Sequence, residues 1–130
     1  NNWAHTNTDP SEIQVYDWQI WKIVDAGGGY YRIVNELHPF VVLQDAGGIF
    51  YNIPGTHNVA LTPVGWNLPE QLWSITEDGT GHYKIVNKQN PNVALQDAGG
   101  IYENIPGTHN VALTPTSWNI PEQKWSLVRP

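Results

Sequence analysis

Residues 41–73 read VVLQDAGGIFYNIPGTHNVALTPVGWNLPEQLW, and residues 93–125 repeat them as VALQDAGGIYENIPGTHNVALTPTSWNIPEQKW. The two segments differ at seven of 33 positions and lie 52 residues apart. A repeat of this period predicts a modular fold, in which a site present in one copy is expected in the other. The identity extends through the loops, where core packing alone does not require it. Two copies of one binding site would explain this, and so would a recent duplication.

Each copy has the pattern of four short strands. Runs rich in β-branched and aromatic residues cover 30–35, 41–44, 58–62 and 71–75, with counterparts at 82–87, 93–96, 110–114 and 123–127. Turn-forming residues separate them, at 45–48, 53–56 and 78–81. Twelve glycines and ten prolines leave no window for a long amphipathic helix. The sequence therefore predicts an all-β chain.

The 52-residue offset also extends towards the N-terminus. Trp73 and Trp125 map onto Trp21, and Gln71 and Gln123 map onto Gln19. We therefore expect a single domain over residues 1–130, with a partial unit at about 1–24 and full units at 25–76 and 77–130. The opening strand of the first unit is missing, and an unpaired edge invites association. We expect residues 1–8 to fill the gap. The alternatives are a second chain in a homodimer, or a segment outside this sequence.

Composition excludes several classes of partner. The formal net charge is −6, and the six basic residues are scattered, so neither nucleic acid nor an anionic membrane is an expected partner. The absence of cysteine excludes disulfides and thiolate metal sites. No apolar run has the length of a transmembrane helix, and no signal peptide is recognisable. These features predict a soluble protein.

Three Gln-x-Trp motifs, at 19–21, 71–73 and 123–125, resemble those of the ricin-B-like (R-type) lectin family. The resemblance covers nearly the whole chain. It implies a β-trefoil of pseudo-threefold four-strand units, the first unit degenerate or truncated, with a six-stranded barrel capped by hairpins. In that family the Trp lies in the core and the Gln supports the turn beside the sugar pocket. Without cysteine, the chain looks more like fungal trefoil lectins than disulfide-bonded toxin subunits, which implies a secreted or fungal cytoplasmic protein.

The resemblance also implies a sugar site. In the family an Asp after the second strand receives sugar hydroxyls, and Asp45 and Asp97 match it. A glycine turn admits backbone amides, and an aromatic side chain stacks on the apolar face of the sugar. This chain departs from the pattern twice. The third strand has no aromatic residue, and Glu70 and Glu122 precede the Gln where Asn is usual.

Nearby aromatic residues offer replacements for the missing one. Trp66 and Trp118 stand in identical Trp-Asn segments, while Phe50, Tyr51 and Tyr102 follow the glycine turns. Our hypothesis is that Asp, His-Asn and Trp-Asn together form each pocket. The predicted carbohydrate-binding residues are Asp45, Gly48, His57, Asn58, Trp66, Asn67 and Gln71, and in the other copy Asp97, Gly100, His109, Asn110, Trp118, Asn119 and Gln123.

Structural roles are the alternatives for these same residues. The Asp can cap the amides of its own turn, the His can be a satisfied structural residue, and the Trp can pack in the core or a cap. The first unit lacks both the Asp-Ala-Gly-Gly turn and the Trp-Asn segment, so we expect two sites. Two sites on one rigid body give avidity on clustered glycans of glycoproteins or glycolipids. Galactose or N-acetylgalactosamine is favoured by the resemblance alone.

No catalytic or metal site stands out. Asp45 and Glu70 could form a glycosidase-type carboxylate pair, but a complete active site duplicated within one small domain would be unusual. Each Asp loop offers a single carboxylate and no metal-ligand spacing, so we expect neither metal nor cofactor. The alternative function is protease inhibition by the proline-stiffened loop at 52–56 or its copy at 104–108. Duplication favours a lectin, because inhibitors usually present different loops. A structural or storage protein is a third possibility.

Overall fold

The computed structural model describes residues 2–3, 21–36, 38–99 and 110–127. Within these ranges there is no α-helix, and the all-β prediction is confirmed. The strands are β1 Asn2–Trp3, β2 Trp21–Gly27, β3 Tyr30–Asn35, β4 Val41–Gly47, β5 Asn58–Pro63, β6 Trp73–Glu77, β7 Tyr83–Asn87, β8 Val93–Gly99 and β9 Asn110–Pro115. Short 3₁₀ turns lie at Phe50–Asn52, Val64–Trp66, Pro69–Gln71, Thr116–Trp118 and Pro121–Gln123.

The strand pairing repeats from unit to unit. Strands β4 and β5 form an antiparallel hairpin, and β8 and β9 form its copy in the same register. Each hairpin carries a bulge at its Asp, between Asp45 and Gly47 and between Asp97 and Gly99. The antiparallel pairs β2–β3 and β6–β7 connect successive units. The repeat in sequence is therefore a repeat in backbone structure.

A third pairing joins the start of each unit to its end. Tyr31 pairs with Trp73 in the second unit, and Tyr83 pairs with Trp125 in the third. In the first unit Trp3 pairs with Trp21, so β1 takes the position of the missing opening strand. This agrees with the expectation that the N-terminal residues fill the gap, over the two residues that the structure describes there.

The core is built around the three repeated tryptophans. Trp21, Trp73 and Trp125 are buried, as predicted, and pack with Ile33, Ile85, Leu43, Leu95 and Leu113. The indole N–H of Trp73 donates to the Leu43 carbonyl at 3.1 Å, and that of Trp125 donates to the Leu95 carbonyl at 3.0 Å. Trp73 and Trp125 thus each fasten the end of their unit to that unit's hairpin. The repeated strands, bridging pairs and central tryptophans define a β-trefoil, as expected.

Candidate functional site

Asp45 lies on the bulge of β4 and has three partners from the chain itself. Its Oδ1 accepts a hydrogen bond from the Gly47 amide at 2.9 Å. Its Oδ2 lies 2.8 Å from His57 Nδ1 and accepts a hydrogen bond from Asn90 Nδ2 at 2.7 Å. The Asp45 side chain is 0% exposed. Both carboxylate oxygens are therefore satisfied inside the protein.

This geometry corrects the expectation that Asp45 receives sugar hydroxyls. A ligand could reach the carboxylate only by displacing His57 or Asn90. Asn90 follows β7 in the third unit, and the His57 backbone exchanges hydrogen bonds of 2.8 and 2.9 Å with Leu113. The Asp45 cluster, defined as Asp45, His57 and Asn90, thus joins the second unit to the third. It matches the alternative in which Asp and His are structural.

The corresponding aspartate of the other copy, Asp97, is half-buried, whereas Asp45 is buried. Its Oδ1 accepts a hydrogen bond from the Gly99 amide at 3.0 Å, as in the first copy. The predicted site residues Gly100 and His109 lie outside the described residues. Asn110 is partly exposed at the start of β9 and pairs with Gly99.

Gly48 and Asn58 lie together at the tip of the β4–β5 hairpin. Gly48 has a φ of +68°, and a Cβ built on it would lie 3.0 Å from Asn58 Nδ2. Glycine is required here for both reasons, because a left-handed backbone and a close neighbour each disfavour a side chain. Asn58 itself is exposed.

Gln71 and Gln123 are completely buried and support a turn. The Gln71 amide donates to Thr62 Oγ1 at 3.0 Å and to the Pro63 carbonyl at 2.8 Å, and its oxygen accepts from the Leu68 amide at 3.1 Å. Gln123 makes the equivalent donations, both at 2.8 Å. These side chains hold the segment between the third and fourth strands. They cannot touch a ligand directly, which corrects their assignment as contact residues but fits the supporting role that the resemblance implies.

Trp66 and Trp118 are exposed aromatic side chains at equivalent positions in the two copies. They are 56% and 42% exposed, so neither belongs to the core. Each ends a 3₁₀ turn and is followed by an Asn with left-handed backbone, Asn67 at φ 51° and Asn119 at φ 45°. Asparagine tolerates that conformation better than most residues. The repeated Trp-Asn sequence thus has a local structural reason and leaves the indole in solvent.

A cation from the first strand of each unit holds the Asn. Arg32 Nη2 donates to Asn67 Oδ1 at 2.9 Å, and Lys84 Nζ donates to Asn119 Oδ1 at 3.1 Å. Sequence reasoning missed both basic residues. They stand 52 positions apart, in YRIVN and YKIVN, so the repeat contained the signal.

The structure separates two groups that the hypothesis combined in one pocket. Asp45 pairs with Val59, whereas the turn to Trp66 begins after Pro63, at the opposite end of β5. Four residues of strand span about 13 Å. The structure therefore brings Asp45 to His57 and Gly48 to Asn58 at the hairpin tip, while Trp66 and Asn67 lie with Arg32 at the open end.

The proline-stiffened loop is a compact turn. Phe50 and Tyr51 stack with ring centroids 4.3 Å apart, and Tyr51 is 74% exposed with a φ of 47°. The buried Thr56 hydroxyl accepts from the Phe50 amide at 2.9 Å and donates to the Ile53 carbonyl at 2.6 Å. Residues 51–55 are exposed, and the Thr56 hydrogen bonds close the turn beneath them. Tyr102 and the loop copy at 104–108 lie outside the described residues.

The described part of the chain has neither a metal-binding cluster nor a membrane-spanning helix. Over the described ranges, no group of three or more His, Cys, Asp or Glu side chains is placed to hold a metal ion. Among the same residues, no helix is long and apolar enough to cross a membrane.

Comparison with known proteins identifies the fold and not a family. No protein-family model matches the sequence, and no curated protein matches it either. Among solved structures, the designed three-fold symmetric protein ThreeFoil is similar with a TM-score of 0.72 and 21% identity, over 99% of this chain and 96% of that one.

Two larger proteins contain a similar region. The exo-β-1,3-galactanase 1,3Gal43A from Clostridium thermocellum matches with a TM-score of 0.67 and 21% identity, over 90% of this chain and 23% of the enzyme. A mosquitocidal holotoxin matches with a TM-score of 0.63 and 20% identity, over 85% of this chain and 13% of the toxin. This chain thus spans less than a quarter of either protein. At these identities the likeness shows the shared fold alone.

Proposed function

We propose that this protein is a non-catalytic carbohydrate-binding protein with two similar sites, centred on Trp66 and Trp118. The observation that carries the proposal is the repetition of an exposed tryptophan on the same rigid turn in two units. Each tryptophan leaves about half of its large apolar surface in solvent, and an identical pair at the surface suggests a ligand.

The surroundings of each tryptophan suit a sugar. A pyranose has an apolar face that stacks on an aromatic ring and hydroxyls that need polar partners at the edge. Asn67 directly follows Trp66 and uses only its Oδ1 for Arg32. Among the described residues its amide nitrogen has no partner, so two N–H donors are available beside the indole. Asn119 offers the same arrangement beside Trp118.

The other predicted site residues that the structure describes fall into two groups, by where they lie. Asp45, Gln71 and Gln123 are buried, and we assign them to the scaffold that holds the hairpin and turns. The hairpin-tip residues are Gly48, Asn58 and His57, with Asn110 in the other copy, while the predicted Gly100 and His109 lie outside the described residues. Their contact with sugar stays a prediction. It would require a second contact region at the end of the hairpin that lies away from the tryptophan.

Two considerations suggest where to look for the ligand. The resemblance to R-type lectins favours galactose or N-acetylgalactosamine. The galactanase with a similar region acts, by its name, on a β-1,3-linked galactose polymer. Galactose-terminated glycans are therefore the first probes.

The test compares tryptophan variants on a glycan array and then by calorimetry. We expect W66A and W118A each to remove one of two sites and the double variant to remove binding. The matched control is Y51A, which deletes another exposed aromatic ring but at the hairpin tip. A silent array would overturn the proposal. Loss of binding in Y51A with normal binding in W66A/W118A would move the site to the tip.

A further inference from the structure

Two basic side chains of this acidic protein lie at equivalent positions beside the exposed tryptophans. The chain has six Lys and Arg against twelve Asp and Glu. Arg32 and Lys84 nevertheless occupy the same place in β3 and β7, each bonded to the Asn that follows a surface tryptophan. The positive charge is retained in both copies although the residue type differs.

Neither cation has an acidic partner. Within the described residues, Arg32 and Lys84 make no ion pair, and the hydrogen bonds that hold them go to neutral amide oxygens. Other cations of the chain are differently placed. Lys124 Nζ lies 3.4 Å from Asp78, and Lys88 Nζ lies 4.8 Å from the centre of the Tyr30 ring. The charges of Arg32 and Lys84 are therefore positioned but not neutralised.

The remaining hydrogen-bond donors of Arg32 lie at the tip of its guanidinium group. Its Nε is buried without an acceptor among the described residues, and Nη2 contributes a hydrogen bond to Asn67. A guanidinium has five N–H groups, so the remaining donors belong to the two terminal nitrogens. Terminal guanidinium donors bind carboxylates and other oxyanions through paired hydrogen bonds.

We propose that both sites prefer sugars that carry an anionic group, a carboxylate or a sulfate. The inference rests on the proposed function and specifies its ligand class. The indole supports the sugar ring, the free Asn amide donates to a hydroxyl, and the cation receives the acidic substituent. Arg32 presents a planar fork and suits a carboxylate, whereas Lys84 acts as a point charge for either group.

The experiment uses three probes that share one disaccharide: N-acetyllactosamine, its 6-sulfate and its sialylated form. Titration at about 0.15 M salt should show each anionic form binding about tenfold more tightly than the neutral one, because a charge-assisted hydrogen bond is worth roughly this factor. Raising the salt to about 0.5 M should reduce that preference, since screening weakens exposed charges.

Variants assign the preference to the two cations. R32Q/K84Q should lose the preference for the anionic probes over the neutral one, while R32K/K84R should keep it. The control K22Q/K88Q removes the same net charge elsewhere. Circular dichroism checks folding, and R32K/K84R keeps the test valid if the Gln variants unfold.

The outcomes distinguish the two proposals. Equal binding of the neutral and anionic probes overturns this inference and leaves carbohydrate binding standing. A preference that survives R32Q/K84Q, or that is lost equally in K22Q/K88Q, also overturns it. No binding to these probes together with a silent glycan array overturns both proposals.

Discussion

Replacement of Asp45 by Ala should strongly destabilise the fold. The substitution leaves the Gly47 amide, His57 Nδ1 and the Asn90 amide facing a site that is closed to solvent, where they now bond at 2.9, 2.8 and 2.7 Å. Each buried donor left without its acceptor costs about 1–3 kcal/mol, so the total loss should reach about 3 kcal/mol or more. A small domain has about 5–15 kcal/mol in total, so a large part of the stability should be lost.

Urea unfolding followed by tryptophan fluorescence measures this loss. N90A serves as the comparison, because it removes only the 2.7 Å bond to the carboxylate and should cost about 1.5–3 kcal/mol. The two substitutions share a partner, so the double variant should lose less than the sum of the single losses. If D45A unfolds within about 1 kcal/mol of the unsubstituted chain, the cluster does not join the units as described.

Two further predictions concern turns. The Thr80 side chain and the Thr80 backbone amide both donate hydrogen bonds to Asp78, and Lys124 is a nearby positive charge. These contacts hold the pKa of Asp78 well below its usual range. The ionised form therefore adds stability above about pH 4, and this contribution is lost as pH falls through the lowered pKa. T80V should raise the pKa of Asp78, as measured by carboxyl NMR titration; an unchanged titration would contradict this assignment. Gly47 and Gly48 share a φ of +68°, but only a Cβ at Gly48 meets Asn58. Each substitution should lower the free energy of unfolding in urea by about 1–2 kcal/mol, with the larger loss in G48A; equal losses would contradict the contact.

The backbone plan could be predicted because it depends on patterns that repeat. Strand periodicity, turn residues and the 52-residue offset specify short paired strands. The Gln-x-Trp motif at 19–21 predicts the partial unit. The bonds of Trp73 and Gln71 to their own hairpin explain why that motif marks the fold, since both side chains are buried and fully used.

The candidate site was harder to predict because it depends on contacts between distant segments. The distance between Asp45 and Trp66 follows from the hairpin register and not from their closeness in sequence. The role of Asn90 requires the packing of one unit against the next, 45 residues away. Arg32 and Lys84 reach their Asn partners across 35 residues in each copy, so only the folded chain shows that they belong to the tryptophan surface.

We propose that the two tryptophan surfaces bind sugar independently. Isothermal calorimetry with the best glycan from an array measures the number of sites directly. We expect two sites per chain, one in W66A, one in W118A and none in the double variant, with the fold intact by circular dichroism. Two sites remaining in the double variant, or no glycan bound by the unsubstituted chain, would contradict it.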